Sequence, residues 1–151
     1  MSSVYPKVLR FKKKYSMTIA FRLKKHSDVV DKILDRDENV LYAFCGQRND
    51  DNHFLFDSCV VALTNKRIIV GEKRIIGYYV INVKTDLFND LKIKAGLFFG
   101  QVEIDTVKEN IHISNLDKKS LDEVETMVQK IISDNKKRAK EEEKKNSQSN
   151  D

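Results

Sequence analysis

The sequence predicts a mainly β domain of the α+β class, seven antiparallel strands forming a barrel or sandwich capped by one C-terminal α-helix. Three observations predict it. From Val40 onward, short runs rich in Val, Ile, Phe and Tyr follow one another, separated by polar or glycine-containing links. Two late runs alternate cleanly, Val102 and Ile104 against Glu103 and Asp105, then Ile111 and Ile113 against His112 and Ser114, as half-buried strands do. After them Leu121, Val124, Val128, Ile131 and Ile132 recur three and four apart, the stripe of an amphipathic helix.

The strands are expected at VLYAFCGQR (40–48), FLFDSCVVALT (54–64), RIIVGEK (67–73), IIGYYVINV (75–83), LKIKAG (91–96), FGQVEIDTV (99–107) and NIHISNL (110–116). Asn65-Lys66 turns the second into the third, and Gly77 marks a bend or bulge in the fourth. The closing helix is expected at 118–134. Ser120-Leu121-Asp122-Glu123 reads as its capping box, with Asp117 as a rival cap. Upstream, Tyr15, Met17, Ile19, Phe21 and Leu23 alternate with Ser16, Thr18, Ala20 and Arg22. That argues for a strand, although Met17/Phe21 and Ile19/Leu23 also suit a basic helix. Ser27 offers the N-cap of a short helix carrying Val29, Val30, Ile33 and Leu34, ended by DRDEN. The chain thus divides into a basic extension with a short helix (1–37), the β domain (38–134) and a charged, partly disordered tail (135–151).

The net charge of +5 hides an asymmetry. Residues 1–25 carry Lys7, Arg10, Lys12, Lys13, Lys14, Arg22, Lys24 and Lys25 and no acid, whereas 26–135 hold 14 basic and 19 acidic side chains. The β domain is therefore mildly acidic and the basic character sits at the ends. No run approaches the roughly 18 apolar residues of a membrane span, and no apolar leader precedes a cleavage site. A cytoplasmic protein is expected, possible attachment being peripheral. Cys45 and Cys59 lack CxxC spacing or clustered histidines, so no zinc signature arises. They fall on strands that would pair about a turn near Asp51-Asn52, which makes them near neighbours across the ladder, expected as free thiols.

The strand order and three segments carry a family likeness. LTNKRIIV (63–70), IKAGLFFGQVEIDT (93–106) and ENIHISNLDKKSLDEVETMV (109–128) resemble the bacterial pleckstrin-homology (PH)-like domains, specifically the YokE-like family. The resemblance spans roughly Glu38 to Ile132. It implies a PH-like seven-stranded fold and a non-catalytic binding module, not a particular ligand. Phosphoinositide-binding relatives use a basic first hairpin. Here that turn, QRNDDNH, sets Asp50 and Asp51 beside Arg48, so no specific phosphoinositide is expected.

Candidate sites follow from charge. The leader residues Lys7, Arg10, Lys12, Lys13, Lys14, Lys24 and Lys25 are the candidate anionic-surface contacts, against the alternative that they stay solvated while the leader packs on the barrel. Lys66, Arg67, Lys73 and Arg74 are weaker candidates. Lys66-Arg67 is expected chiefly to turn a hairpin, and the aromatics of GLFFG to fold inward between their glycines. His53 near Asp50, Asp51 and Asp57 has no nucleophile in support, and no phosphate loop or metal motif occurs. Neither catalysis, cofactor nor metal is expected. The function expected is binding of a protein partner or weak association with an anionic membrane. The alternatives are a homo-oligomerising structural domain and a nucleic-acid binder through the basic leader; the acidic core argues against the latter.

Overall fold

In the computed structural model, residues 3–48 and 57–149 are described. Helices α1 (Tyr5–Lys14) and α2 (Leu23–Ile33) precede strands β1 (Val40–Arg48), β2 (Asp57–Thr64), β3 (Arg67–Lys73) and β4 (Tyr78–Lys84). A 3-10 turn (Thr85–Leu87) leads to β5 (Phe88–Ala95), β6 (Phe99–Thr106) and β7 (Asn110–Asp117), and a second (Lys118–Ser120) leads to α3 (Leu121–Ser149). The strands form one antiparallel sheet in the order β4-β3-β2-β1-β7-β6-β5, bent into a half-barrel. Its open seam lies between β4 and β5, bridged by Lys108 Nζ donating to Asn82 O at 3.3 Å.

The run CVVALT reads as continuously apolar because β2 is buried on both faces, from Cys59 to Thr64. Val61 and Leu63 point one way with Phe44, Val70 and Ile68; Val60 and Ala62 point the other way with Cys45 and Gly71. α2 covers this second face. A Cβ on Gly71 would stand 2.5 Å from Val30 Cγ2 and 3.1 Å from His26 O, so glycine lets α2 lie directly on the β3 backbone. Gly100 does the same for the closing helix, where a Cβ would stand 2.6 Å from Leu121.

Residues 15–23 form no strand. Thr18 and Ala20 are buried while Met17 and Phe21 are exposed, the reverse of the expected faces. Tyr15 caps α1, Leu23 opens α2, and the alternation between them is incidental. The linker is held instead by β7 and β2. Ile19 N donates to Asn115 O at 2.9 Å, Asp117 N to Thr18 Oγ1 at 2.9 Å, and Phe21 N to Ser58 Oγ at 2.9 Å. α2 begins four residues before the expected Ser27 cap, because Ser27 Oγ turns back to Leu23 O at 2.7 Å within the helix. The basic extension thus holds two helices, both packed on the half-barrel.

α3 buries Leu121, Val124, Val128, Ile131 and Ile132 as expected. Its start is governed by the rival cap: Asp117 accepts from Lys119 N at 3.0 Å, and Ser120 donates to Asp117 O at 2.7 Å. Glu123, needed for a capping box, is engaged elsewhere. The charged tail, expected to be partly disordered, continues α3 to Ser149. Buried Asn135 carries the helix past the stripe, donating to Thr64 O at 3.0 Å and accepting from Arg138 at 2.6 Å. Beyond it, Lys/Glu spacings of four favour an exposed helix.

Cys45 lies opposite Val60 and Cys59 opposite Gly46. The two cysteines therefore point to opposite faces of the sheet and are not side-chain neighbours. Both are buried free thiols. Cys45 pairs with Val60, one step from the register that would set it opposite Cys59, and one step exchanges the faces of a strand.

Candidate functional site

The hinge LTNKR is a structural clamp. Thr64 Oγ1 donates to Glu38 Oε2 at 2.6 Å and accepts from the amides of Lys66 and Arg67, each at 3.0 Å. Arg67 forks onto Glu38, Nε to Oε2 at 2.9 Å and Nη2 to Oε1 at 2.7 Å. The same Nη2 donates to Ile33 O at 2.6 Å, closing the last turn of α2. Burial pushes the Glu38 carboxyl up, but the bonds from Arg67 and Thr64 overcome this and hold it at about 2. Lys66 sits at 2.8 Å from Asp37 and 3.4 Å from Asp35. Of the weaker candidates, these two are spoken for inside the molecule.

Lys73 and Arg74, at the far end of β3, stand in a different setting. Arg74 N donates to Gly77 O at 3.1 Å, and Gly77 has φ +75°, so residues 74–77 make the β3–β4 turn. At its tip Ile75 is 96% and Ile76 91% exposed, followed by Tyr78 at 64%. Arg74 stacks 4.7 Å from the Tyr79 ring, which the buried Arg48 also meets at 4.2 Å. Arg48 pairs with Glu72 at 2.9 Å, both side chains being almost wholly buried. Burial raises the Glu72 carboxyl against the pull of Arg48. This buried pair, with Tyr79, makes a stiff base for the tip.

The linker ends beside that base. Arg22, Asp57, Lys73, Arg74, Ile75 and Ile76 line one open depression. Phe21 is 65% exposed, and Arg22 adopts φ 56° and ψ 40° at the start of α2, a left-handed conformation that costs an Arg about 1 kcal/mol or more. His26 Nδ1 accepts from Lys73 N at 2.8 Å, fixing α2 to the same hairpin. Burial and then Arg22 push the His26 pKa down. Two apolar residues at a turn, cations beside them and a strained arginine next to an exposed phenylalanine therefore share one end of the sheet.

A second tip lies at β5–β6. Gly96 N donates to Phe99 O at 2.8 Å, leaving Leu97 80% and Phe98 71% exposed. The expected inward fold fails for these two because Leu121 already occupies the space over Gly100.

The leader residues separate. Lys14 pairs with Glu123 at 2.7 Å, Lys12 donates to Ser16 O at 3.0 Å, and Lys24 pairs with Asp28 at 3.1 Å. Lys13 and Lys25 are exposed. Lys7, Arg10 and Lys14 face a groove between α1, the start of β1 and α3. Among the described residues no three His, Cys, Asp or Glu side chains gather to hold a metal. Burial pushes the Cys45 thiol up to about 12 and raises Cys59 as well, the opposite of what a nucleophile needs. His112 stands exposed, 4.0 Å from Glu103, while His53, Asp50 and Asp51 lie outside the described residues.

Residues 34–131 match the family model described as Bacterial PH domain. The chain belongs to the bacterial PH domain family. Two solved structures are similar to parts of it. One, the C-terminal domain of an unknown protein from Leishmania infantum, has a TM-score of 0.50 and 12% identity, covering 72% of this chain and 92% of its own. The other, a protein with a pleckstrin-homology domain from Shewanella loihica, has a TM-score of 0.46 and 14% identity, covering 74% and 90%. No curated protein matches the chain. At 12% identity the first likeness concerns fold alone. As a PH-like domain it is of a generally non-catalytic, binding class. α1 and α2 both precede the matched segment, so Phe21 and Arg22, the latter lining the depression at the β3–β4 tip, lie outside it.

Sequence reasoning missed Phe21, Arg22, Ile75, Ile76 and Tyr78. One signal was present: in KRIIG the apolar pair falls between two cations and a glycine, which are turn residues rather than strand residues.

Proposed function

We propose that this bacterial PH domain is a binding module that attaches weakly and reversibly to an anionic membrane surface through its β3–β4 tip. The carrying observation is the near-complete exposure of Ile75 and Ile76 beside Lys73 and Arg74. Isolated exposed apolar residues are ordinary, but two adjacent isoleucines at a hairpin tip, rimmed by cations, suit the lipid headgroup boundary. Fully burying an isoleucine is worth about 1.5–3 kcal/mol; each cation near an anionic surface adds about 1 kcal/mol at most. Lost freedom takes back several kcal/mol. The balance is a weak contact, peripheral and salt-sensitive. Phe21 and Arg22 extend it, and the exposed leader lysines contribute only through the long-range field. The closer YokE-like affiliation, carried by LTNKR and GLFFG, belongs to the same reading, as does a cytoplasmic site of action. Among the described residues no helix is long and apolar enough to cross a membrane.

Co-sedimentation with phosphatidylglycerol vesicles at low salt tests this. The chain should pellet with them, return to the supernatant as salt rises, and ignore phosphatidylcholine vesicles. Ile75→Ser with Ile76→Ser should abolish pelleting without changing the melting temperature. Undiminished pelleting of that double variant would remove the tip from the site.

A further inference from the structure

We infer that the groove between α1, the start of β1 and α3 receives an acidic linear peptide anchored by one apolar side chain. The inference stands apart from the membrane reading, because the groove lies at the other end of the sheet. Val40 pairs with Thr64, next to the hinge, whereas the isoleucine tip lies beyond Lys73 at the far end of β3. A bilayer that touches the tip leaves the groove free.

The groove encloses about 260 Å³, room for one large apolar side chain and part of its backbone. Its floor is apolar, with Phe11 buried beneath it, Met127 from α3 and Leu41, which is 41% exposed. Its rim is cationic. Lys7, Arg10 and Lys14 stand three and four residues apart on one side of α1, and the lining holds one carboxylate against them, Glu123. That carboxylate is already occupied by Lys14 at 2.7 Å and by Tyr42 Oη at 2.8 Å. Among the described residues no carboxylate pairs with Lys7 or Arg10. Two free cations over an apolar pocket fit Asp or Glu side chains flanking a Leu, Ile, Met or Phe.

The peptide would be held by its side chains, not by adding a strand. β1 pairs β7 only at Gln47 and Arg48, which leaves its start as an edge, and the register shift between Val40 and Tyr42 bends that edge and blunts it against pairing. A nucleic acid fits less well, since the aromatic lining is Phe11, only 3% exposed, and Tyr42, half-buried against Phe44, a poor platform for stacking bases.

The test is selection from a displayed library of random octapeptides on the full chain at low salt, followed by fluorescence anisotropy of the enriched peptides. Enriched sequences should carry Asp or Glu on both sides of one large apolar residue. Lys7→Glu with Arg10→Glu should weaken their binding about tenfold or more at an unchanged melting temperature. Leu41→Asp, at an exposed position, should weaken it too, while Ile75→Ser with Ile76→Ser should leave it intact. The inference is overturned if enriched peptides show no acidic excess, or if they bind the Lys7→Glu/Arg10→Glu variant as tightly as the parent. It is equally overturned if the chain sediments as a dimer that this variant dissociates, which would assign the groove to Glu141, Glu142 and Glu143 of a second copy.

Discussion

β3 begins and ends at a Lys-Arg pair, and the two pairs do opposite things. Arg67 forks onto a carboxylate with no exposed side-chain surface and closes a helix. Arg74 lies partly exposed over a tyrosine, 3.7 Å from Glu72, beside two almost wholly exposed isoleucines. The dipeptides are identical. What differs is the chain brought to them: Glu38, Asp35 and Asp37 bond the first pair directly, while the second has Arg22 and Asp57 across an open depression and Glu72 no closer than 3.7 Å. A basic pair in a hairpin is therefore read by counting the carboxylates that the fold delivers to it. The hinge spends its charge internally and the tip keeps its charge facing out.

The comparison breaks most visibly on stability. Arg67→Ala leaves Glu38 buried without its partner, and should cost about 3–5 kcal/mol in urea denaturation. Arg74→Ala should change stability by less than about 1 kcal/mol and instead weaken vesicle binding. If Arg74→Ala proved the more damaging to folding, the roles assigned to the pairs would be reversed.

Acid should expose the hinge next. Glu38 is held at about 2 against an ordinary 4.5. A depressed carboxyl stabilises the fold fully above the higher value and loses that share as pH falls toward the lower one. The share is about 3 kcal/mol. Glu72, pushed up by burial, titrates with the opposite sign, so the Glu38 part must be isolated. Glu38→Gln should be less stable at neutral pH and should show a flatter stability profile between pH 4.5 and 2. An unchanged slope would mean that Glu38 is not the titrating group.

How much of this was legible in the sequence depends on whether a residue's neighbours were local. The strands and the stripe Leu121-Val124-Val128-Ile131 rest on spacing within one segment and stand in the structure, and the likeness to bacterial PH domains stands in the family match. The faces of residues 15–23 were misread because Thr18 and Ile19 are satisfied by β7, nearly a hundred residues away. The cysteines were misplaced because one step of register exchanges the faces of a strand. The hinge was correctly read as a turn, yet its partner Glu38 was invisible from LTNKR alone. At the tip, Ile75 and Ile76 looked like strand core, since composition does not reveal where a hairpin turns.

At the tip itself the expected effect is on binding alone. Each isoleucine changed singly to Ser should lower vesicle partitioning by roughly tenfold, on a transfer cost of about 1.5 kcal/mol, and the two should add if each contacts lipid independently. A loss confined to one isoleucine would show that the hairpin meets the surface edge-on. Thermal melts of both variants should overlay the parent.

The smallest effect sharpens the contrast within the hinge. Lys66 bridges Asp37 and Asp35, and those bonds raise its pKa and lower that of Asp37. Yet the Asp37 side chain is 79% and the Asp35 side chain 59% exposed, so water and salt screen both bridges. Lys66 therefore resembles the tip in its surroundings and the hinge only in its partners. Lys66→Ala should melt with the parent at physiological salt and pellet with vesicles as the parent does. A clear loss of stability would make the first Lys-Arg pair act as one unit. Unchanged melting, set beside a collapsed Arg67→Ala, would place the whole clamp on the guanidinium, because only that group reaches the buried Glu38 and the last carbonyl of α2 together.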